Sequence, residues 1–300
     1  TPSSRWYSGS GIYRSVNLTM TEKVHVDLEG TQITTENLKA EQGGTVNMDV
    51  RTQVVNDSED EQDVTLTHTV FPKGADESAA IGTVTTEAKT VASGESDEIE
   101  ITLEAQSPAL WSVDSPTLYT VRTEVKLGEN TVDVYDTEYG FRYFDFDNNT
   151  GFSLNGQNTK LKGVCMHHDQ GALGSASEHD AVYRQVSKLK EMGCNAIRTS
   201  HNMPAPELIR ACDEMGMMVM AESFDEWKAM KVKNGYRHVF DEWAVKDLTN
   251  LLRHYRNNPS VVMWCIGNEV PEQWDGNKGP KMSYFLQELC HREDPTRPVT

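Results

Sequence analysis

Ser260-Val261-Val262-Met263-Trp264-Cys265-Ile266 is an unbroken apolar run that stops abruptly at Gly267-Asn268-Glu269. A short run of this kind between polar flanks reads as a strand buried on both faces, as in parallel sheets. Three further candidate strands precede it: Lys160-Leu161-Lys162-Gly163-Val164-Cys165-Met166, Asn195-Ala196-Ile197-Arg198 and Met217-Met218-Val219-Met220-Ala221. Helical spacing fills the intervals. Glu178 to Met192 sets Val182, Val186 and Leu189 on one face, and Pro206 to Met215 is closed by Gly216. Asp241 to Arg256 carries Val245, Leu248, Leu251 and Leu252, and Lys281 to His291 follows the last strand. Four strand–helix units in succession predict a parallel sheet covered by helices. An open doubly wound sheet and a (β/α)8 barrel both fit this order. No glycine-rich phosphate loop follows the first strand, which counts against a nucleotide fold.

The strand ends carry the chemistry. His167-His168-Asp169 follows the first, and Arg198-Thr199-Ser200-His201-Asn202 ends the second. Glu222-Ser223-Phe224-Asp225-Glu226-Trp227 follows the third, and Gly267-Asn268-Glu269 the fourth. In a barrel these ends converge on one face, where active sites lie. Loops need polarity, but solubility alone does not call for imidazole, guanidinium and carboxylate at four consecutive ends. The pattern predicts a catalytic face. Trp264, inside its strand, reads as barrel core. His168-Asp169 lacks the His-x-His spacing of a metal site.

The half before residue 150 is different. It holds 27 Asp+Glu against 10 Lys+Arg, and 22 threonines; the second half holds 19 against 18, and five threonines. Apolar and polar residues alternate at Val24–Leu28, Val46–Val50, Val64–Thr67, Ile99–Leu103 and Tyr119–Val125, with turn signals such as Gln42-Gly43-Gly44 and Leu127-Gly128-Glu129-Asn130 between. About seven such strands predict an immunoglobulin-like β-sandwich. The acidic run Asp57–Asp63 reads as a solvated turn. The 300 residues contain no apolar run near the roughly 20 residues that a membrane span needs. A net charge of −18 argues against a nucleic-acid partner, whose phosphates demand a basic patch. Five cysteines, odd in number and beside apolar neighbours, read as buried free thiols.

Two long motifs in the right order resemble glycoside hydrolase family 2. Asn268-Glu269 after Arg256-Asn257-Asn258-Pro259-Ser260-Val261-Val262-Met263-Trp264 is similar to the family's acid/base signature. Asn195-Ala196-Ile197-Arg198-Thr199-Ser200-His201-Asn202-Met203-Pro204 is similar to its other signature, and Lys162-Gly163-Val164 with His167 to its first barrel strand. Asn258 stands where His, Arg or Tyr is usual, and Asn202 where Tyr is common. Trp6 to Arg14 looks like the end of the family's sugar-binding jelly roll.

The resemblance implies three parts: residues 1–17 as the terminal strand of a preceding jelly roll, 18–148 as the sandwich, and 149–300 as the first half of a TIM barrel. It also implies retaining hydrolysis of terminal β-linked sugars, β-galactosides first, with β-glucuronidase and β-mannosidase as rivals. A non-catalytic carbohydrate-binding module is the alternative from another class. By motif Glu269 is the acid/base, a role that requires a group able to hold a proton near neutral pH. Asn268 would bind the sugar 2-hydroxyl, His167 and His201 would contact other hydroxyls, and Arg198 would lie beneath the site and orient carboxylates. Glu222 has two readings, a cation ligand or an ion-pair partner of Arg198. No cofactor is expected, with a divalent cation as the exception to test. The partner is a glycoside or oligosaccharide. The family's nucleophile follows a later strand, so it is expected outside this chain. The chain alone should then be inactive, and its half-barrel edges could pair two copies. Location is left open between periplasm and cytoplasm.

Overall fold

The computed structural model describes residues 4–7, 11–41 and 43–300. The chain forms two compact units, one of residues 17–159 and one of 1–16 with 160–300.

The first unit is a sandwich of eight strands: β1 (Val24–Thr34), β2 (Thr45–Asn56), β3 (Gln62–Pro72), β4 (Gly82–Thr85), β5 (Lys89–Val91), β6 (Glu95–Gln106), β7 (Tyr119–Leu127) and β8 (Asn130–Tyr139). One sheet runs β1-β2-β6 and the other β4-β3-β7-β8, with β5 also on β3. Period-two alternation does the work: Val46, Met48, Val50 and Val54 of β2 are fully buried, while their neighbours face out. The predicted turn at Gly128 closes a two-residue β7–β8 hairpin, and Gly128 takes the positive φ of 60° that such turns favour. A small sheet of β9 (Phe144–Asp147), β10 (Gly151–Leu154) and β11 (Gln157–Asn158) belongs to this unit. Asn155 ties it there by donating to the Trp111 carbonyl (2.9 Å). The compact unit therefore ends at residue 159, about ten residues beyond the composition boundary near 150.

The second unit is built on a four-stranded parallel sheet, β12 (Gly163–Met166), β13 (Ala196–Thr199), β14 (Met218–Glu222) and β15 (Val261–Cys265), in sequential order. Its helices are α1 (His179–Glu191), α2 (Pro206–Met215), α3 (Phe240–Tyr255) and α4 (Lys278–Glu293). Gly216 ends α2 at φ 71°, the left-handed cap that glycine supplies. Val164, Ile197, Val219, Ala221, Val261 and Trp264 pack in one cluster with residues of all four helices. All helices thus lie on one face of the sheet, which decides for a barrel over a doubly wound sheet. The opposite face carries Cys165, Arg198, Met220 and Met263 in one rung of the register. Residues beyond α4 extend the sheet: Trp264 N donates to the Pro298 carbonyl (3.0 Å), and Thr300 N to that of Trp264 (2.9 Å). The architecture is an immunoglobulin-like sandwich followed by part of a TIM barrel.

Two readings need correction. Val245 is exposed, because the buried face of α3 runs through Phe240, Ala244, Leu248, Leu251, Leu252 and Tyr255. The cysteines are all free, yet Cys165 is exposed on the concave rung and Cys194 is half-buried. Residues 4–7 and 11–17 contain no strand, and the rest of that segment, residues 1–3 and 8–10, lies outside the described residues. Arg14 instead donates to the carbonyls of Met203 (2.7 Å) and Pro204 (3.3 Å), and Ser15 Oγ to Glu207 (2.6 Å). Among the described residues no helix is long and apolar enough to cross a membrane.

Candidate active site

The C-terminal ends of β12 to β15 bring the polar clusters together. Arg198, on the concave face of β13, forms an ion pair with Glu222 Oε2 (2.5 Å) and donates to Asn268 Oδ1 (3.0 Å). Glu222 Oε1 lies 2.6 Å from His201 Nδ1. Of the two readings of Glu222, the structure holds the ion pair with Arg198. The Ser200–His201 peptide bond is cis. His167 meets the His201 ring edge-on at 5.3 Å, and Trp6 stands 4.9 Å from His167 and 5.4 Å from His201.

Glu222 is fully buried, and that burial pushes its carboxyl up to about 7, although Cys265 and Arg198 pull the other way. Burial and the nearby Arg198 charge lower His201 to about 4, so its ring is neutral at neutral pH. Against an ionised Glu222, Nδ1–H is the donor, which leaves Nε2 as an acceptor.

Asn268 is nearly buried, and both ends of its amide are engaged. Oδ1 accepts from Arg198, and Nδ2 donates to Asp225 Oδ1 (2.9 Å), leaving one N–H for a ligand. Asp225 also accepts from Arg5 (2.9 Å) and Lys231 (2.7 Å). Burial alone would raise the Asp225 carboxyl, but these donors with Asn268 hold it below the usual range. Glu269 sits at the rim with its side chain 67% exposed, and Arg5 Nη1 lies 3.0 Å from its Oε2. Its φ of 45° is uncommon for a residue with a side chain.

One connected path therefore runs from Glu269 through Arg5, Asp225, Asn268, Arg198 and Glu222 to His201, with His167 and Trp6 against its end. The five residues singled out by sequence all lie on it or against it. Arg5, Trp6, Asp225 and Lys231 were not singled out as site residues. The aromatic and basic character of Arg5-Trp6-Tyr7 was the one signal available for the first two. Asn258 lies elsewhere: it precedes β15, at the end of the strand remote from Glu269, and donates to the buried Asp213 (2.6 Å). Its departure from the family pattern concerns packing, not the site. Trp264 is buried, with Nε1 donating to Asp294 (2.8 Å), and is core as expected. Among the described residues no group of three or more His, Cys, Asp or Glu is disposed to hold a metal ion.

A sandwich followed in the chain by part of a TIM barrel, with carboxylates, imidazoles and an arginine at the strand ends, fits the multidomain glycoside hydrolases. The sequence places the chain among them. Residues 24–142 match the model described as "Glycosyl hydrolases family 2", and 147–300 match "Glycosyl hydrolases family 2, TIM barrel domain". The chain belongs to glycoside hydrolase family 2. It is 44% identical over 287 residues to the β-galactosidase BoGH2A of Bacteroides ovatus, covering 94% of this chain and 32% of that protein. A putative β-glucuronidase of Formosa agariphila is 34% identical over 305 residues, covering 100% of this chain and 27% of that protein. Among solved structures, a family 2 member from Bacteroides cellulosilyticus superposes with a TM-score of 0.92 at 34% identity, covering 98% of this chain and 37% of that one. The chain spans about a third of the length of these relatives.

Proposed function

We propose that these residues form one side of the active site of a retaining β-glycosidase that removes terminal β-linked sugars, β-galactosides foremost. The observation that carries this reading is the contact path joining Glu269 to Asn268, Arg198, His201 and His167 at the barrel mouth. Glu269 is assigned as acid/base: it protonates the leaving oxygen, then activates water. Its exposure at the rim suits a group that must meet both a departing aglycone and incoming solvent. Asn268 offers its remaining N–H to the sugar 2-hydroxyl, and Arg198 holds Asn268 in place. His167 and His201 offer ring nitrogens to other hydroxyls.

Retention requires a second carboxylate about 5–5.5 Å from the first. Glu222 is sealed beneath Arg198, and Asp225 is occupied by three donors, so neither is free to attack. The nucleophile is assigned to chain outside these 300 residues, and these residues alone are expected to be inactive. The name of the 44% identical relative supports the galactoside preference; those of other relatives keep the β-glucuronide as the second reading.

Nitrophenyl β-glycosides offered to the full-length protein test this. Turnover should be fastest on the galactoside. Glu269→Gln should abolish cleavage of poor leaving groups while azide restores turnover of good ones. An unaffected Glu269→Gln enzyme would remove the assignment.

A further inference from the structure

Lys231 lies in the long connection between β14 and α3, yet its side chain is only 8% exposed. Its ammonium donates to three oxygens: the Asp225 carboxylate (2.7 Å), the Asp225 carbonyl (2.7 Å) and the Asn268 carbonyl (2.6 Å). An ammonium has three protons, so every donor is used. Two of the acceptors lie after β14 and the third lies after β15.

The lysine is itself held. Glu226, 1% exposed, accepts from the backbone N–H of Lys231 (2.8 Å) through Oε2 and of Arg237 (2.9 Å) through Oε1. Gly235 packs on that carboxylate so closely that a Cβ there would fall 2.0 Å from Glu226 Oε1. Glu272 fixes the start of the same loop, with Oε1 accepting from the N–H groups of Lys228 (2.8 Å) and Ala229 (2.7 Å). Backbone and ammonium are thus pinned independently, and the flexible stem between them has little freedom left.

The Asn268 carbonyl belongs to the peptide plane that leads into Glu269. Fixing that plane sets the direction in which the chain enters Glu269, whose φ takes its uncommon value of 45°. We infer that Lys231 is a positioning residue for Glu269, an internal cation that orients the Asn268–Glu269 peptide and so aims the carboxyl at the leaving oxygen. The inference rests on the acid/base role proposed above. Lys231 does not touch the sugar; it acts through the carbonyl and through Asp225.

The test compares kcat/KM of the full-length protein on a methyl glycoside, which needs a proton to depart, and on the 2,4-dinitrophenyl glycoside of the same sugar, which does not. General acid catalysis contributes about 10²–10⁴-fold, so Lys231→Met should cost about 30-fold or more on the methyl substrate and under about 3-fold on the activated one. The ratio of the two is independent of how much of the variant is folded. Lys231→Cys treated with 2-bromoethylamine, which rebuilds a side chain ending in an ammonium, should recover the methyl-glycoside rate, with treated wild-type protein as reference. Equal losses on both substrates, no loss on either, or no recovery would overturn the inference. If Glu269→Gln separates the two substrates and Lys231→Met does not, this inference alone fails. If wild-type protein cleaves no glycoside, the functional reading fails and takes this one with it.

Discussion

The sandwich unit contains 27 acidic residues, and among the described residues none of them is buried. The α/β unit has 19 and buries seven: Glu207, Asp213, Glu222, Glu226, Glu272, Glu293 and Asp294. The crowded region uses its carboxylates as a solvated coat; the sparser one uses seven of them as internal fasteners. Acid content therefore does not locate function here. Burial instead marks the fasteners, because a buried carboxylate persists only where donors or cations meet it.

The largest effect that sharpens this contrast should follow from removing one buried fastener. Asp294 accepts from Arg297 (2.7 Å) and from Trp264 Nε1 (2.8 Å), and the Arg297 guanidinium continues to the carbonyls of Val261 (2.7 Å) and Asn258 (3.0 Å). Asp294→Ala strands a buried guanidinium, and a loss of about 3–5 kcal/mol is expected in urea unfolding. A loss below about 1 kcal/mol would break the comparison.

The next effect belongs to the sandwich. His68 is fully buried beside Thr123 (3.0 Å), and burial lowers it to about 4, against 6.5 when exposed. The folded state then binds fewer protons than the unfolded one between these values, so stability rises with pH from 4 to 6.5. It is complete above that and lost as pH falls back through the window. The difference corresponds to at most about 3 kcal/mol. Hydrogen exchange of β3 amides should show this slope, and His68→Leu should flatten it. The smallest effect tests the coat. Arg51 and Glu100 pair at 3.1 Å while both are about half exposed. Glu100→Gln should shift the urea midpoint by under about 0.5 kcal/mol; a larger shift would mean that the coat also fastens.

Periodicity explains why the elements were legible. The strand ends at Met166, Thr199, Glu222 and Cys265 follow from apolar runs meeting polar residues, and the helices fall within a few residues of their apolar spacing. Val245 misled because spacing within a helix does not reveal where the buried stripe is centred; packing of Phe240 and Ala244 sets that. Glu269, Asn268, Arg198, His167 and His201 were legible because each stands at a strand end. Arg5 reaches Asp225 across 220 residues of chain, and Lys231 lies in an irregular loop. No local pattern marks a contact of that kind. The sequence suggested the Glu222–Arg198 pair, but only the register of β13 against β14 brings it to 2.5 Å.

The rung made by Cys165, Arg198, Met220 and Met263 has one further consequence. Two of its members are unbranched thioethers, side chains that adapt their shape to what lies against them. A lumen lined this way can take up small changes of volume in facing residues without displacing the guanidinium between them. Mutations that reshape the interior wall should therefore be tolerated more readily than mutations at the mouth, leaving the foundations of the site steady while its surroundings drift.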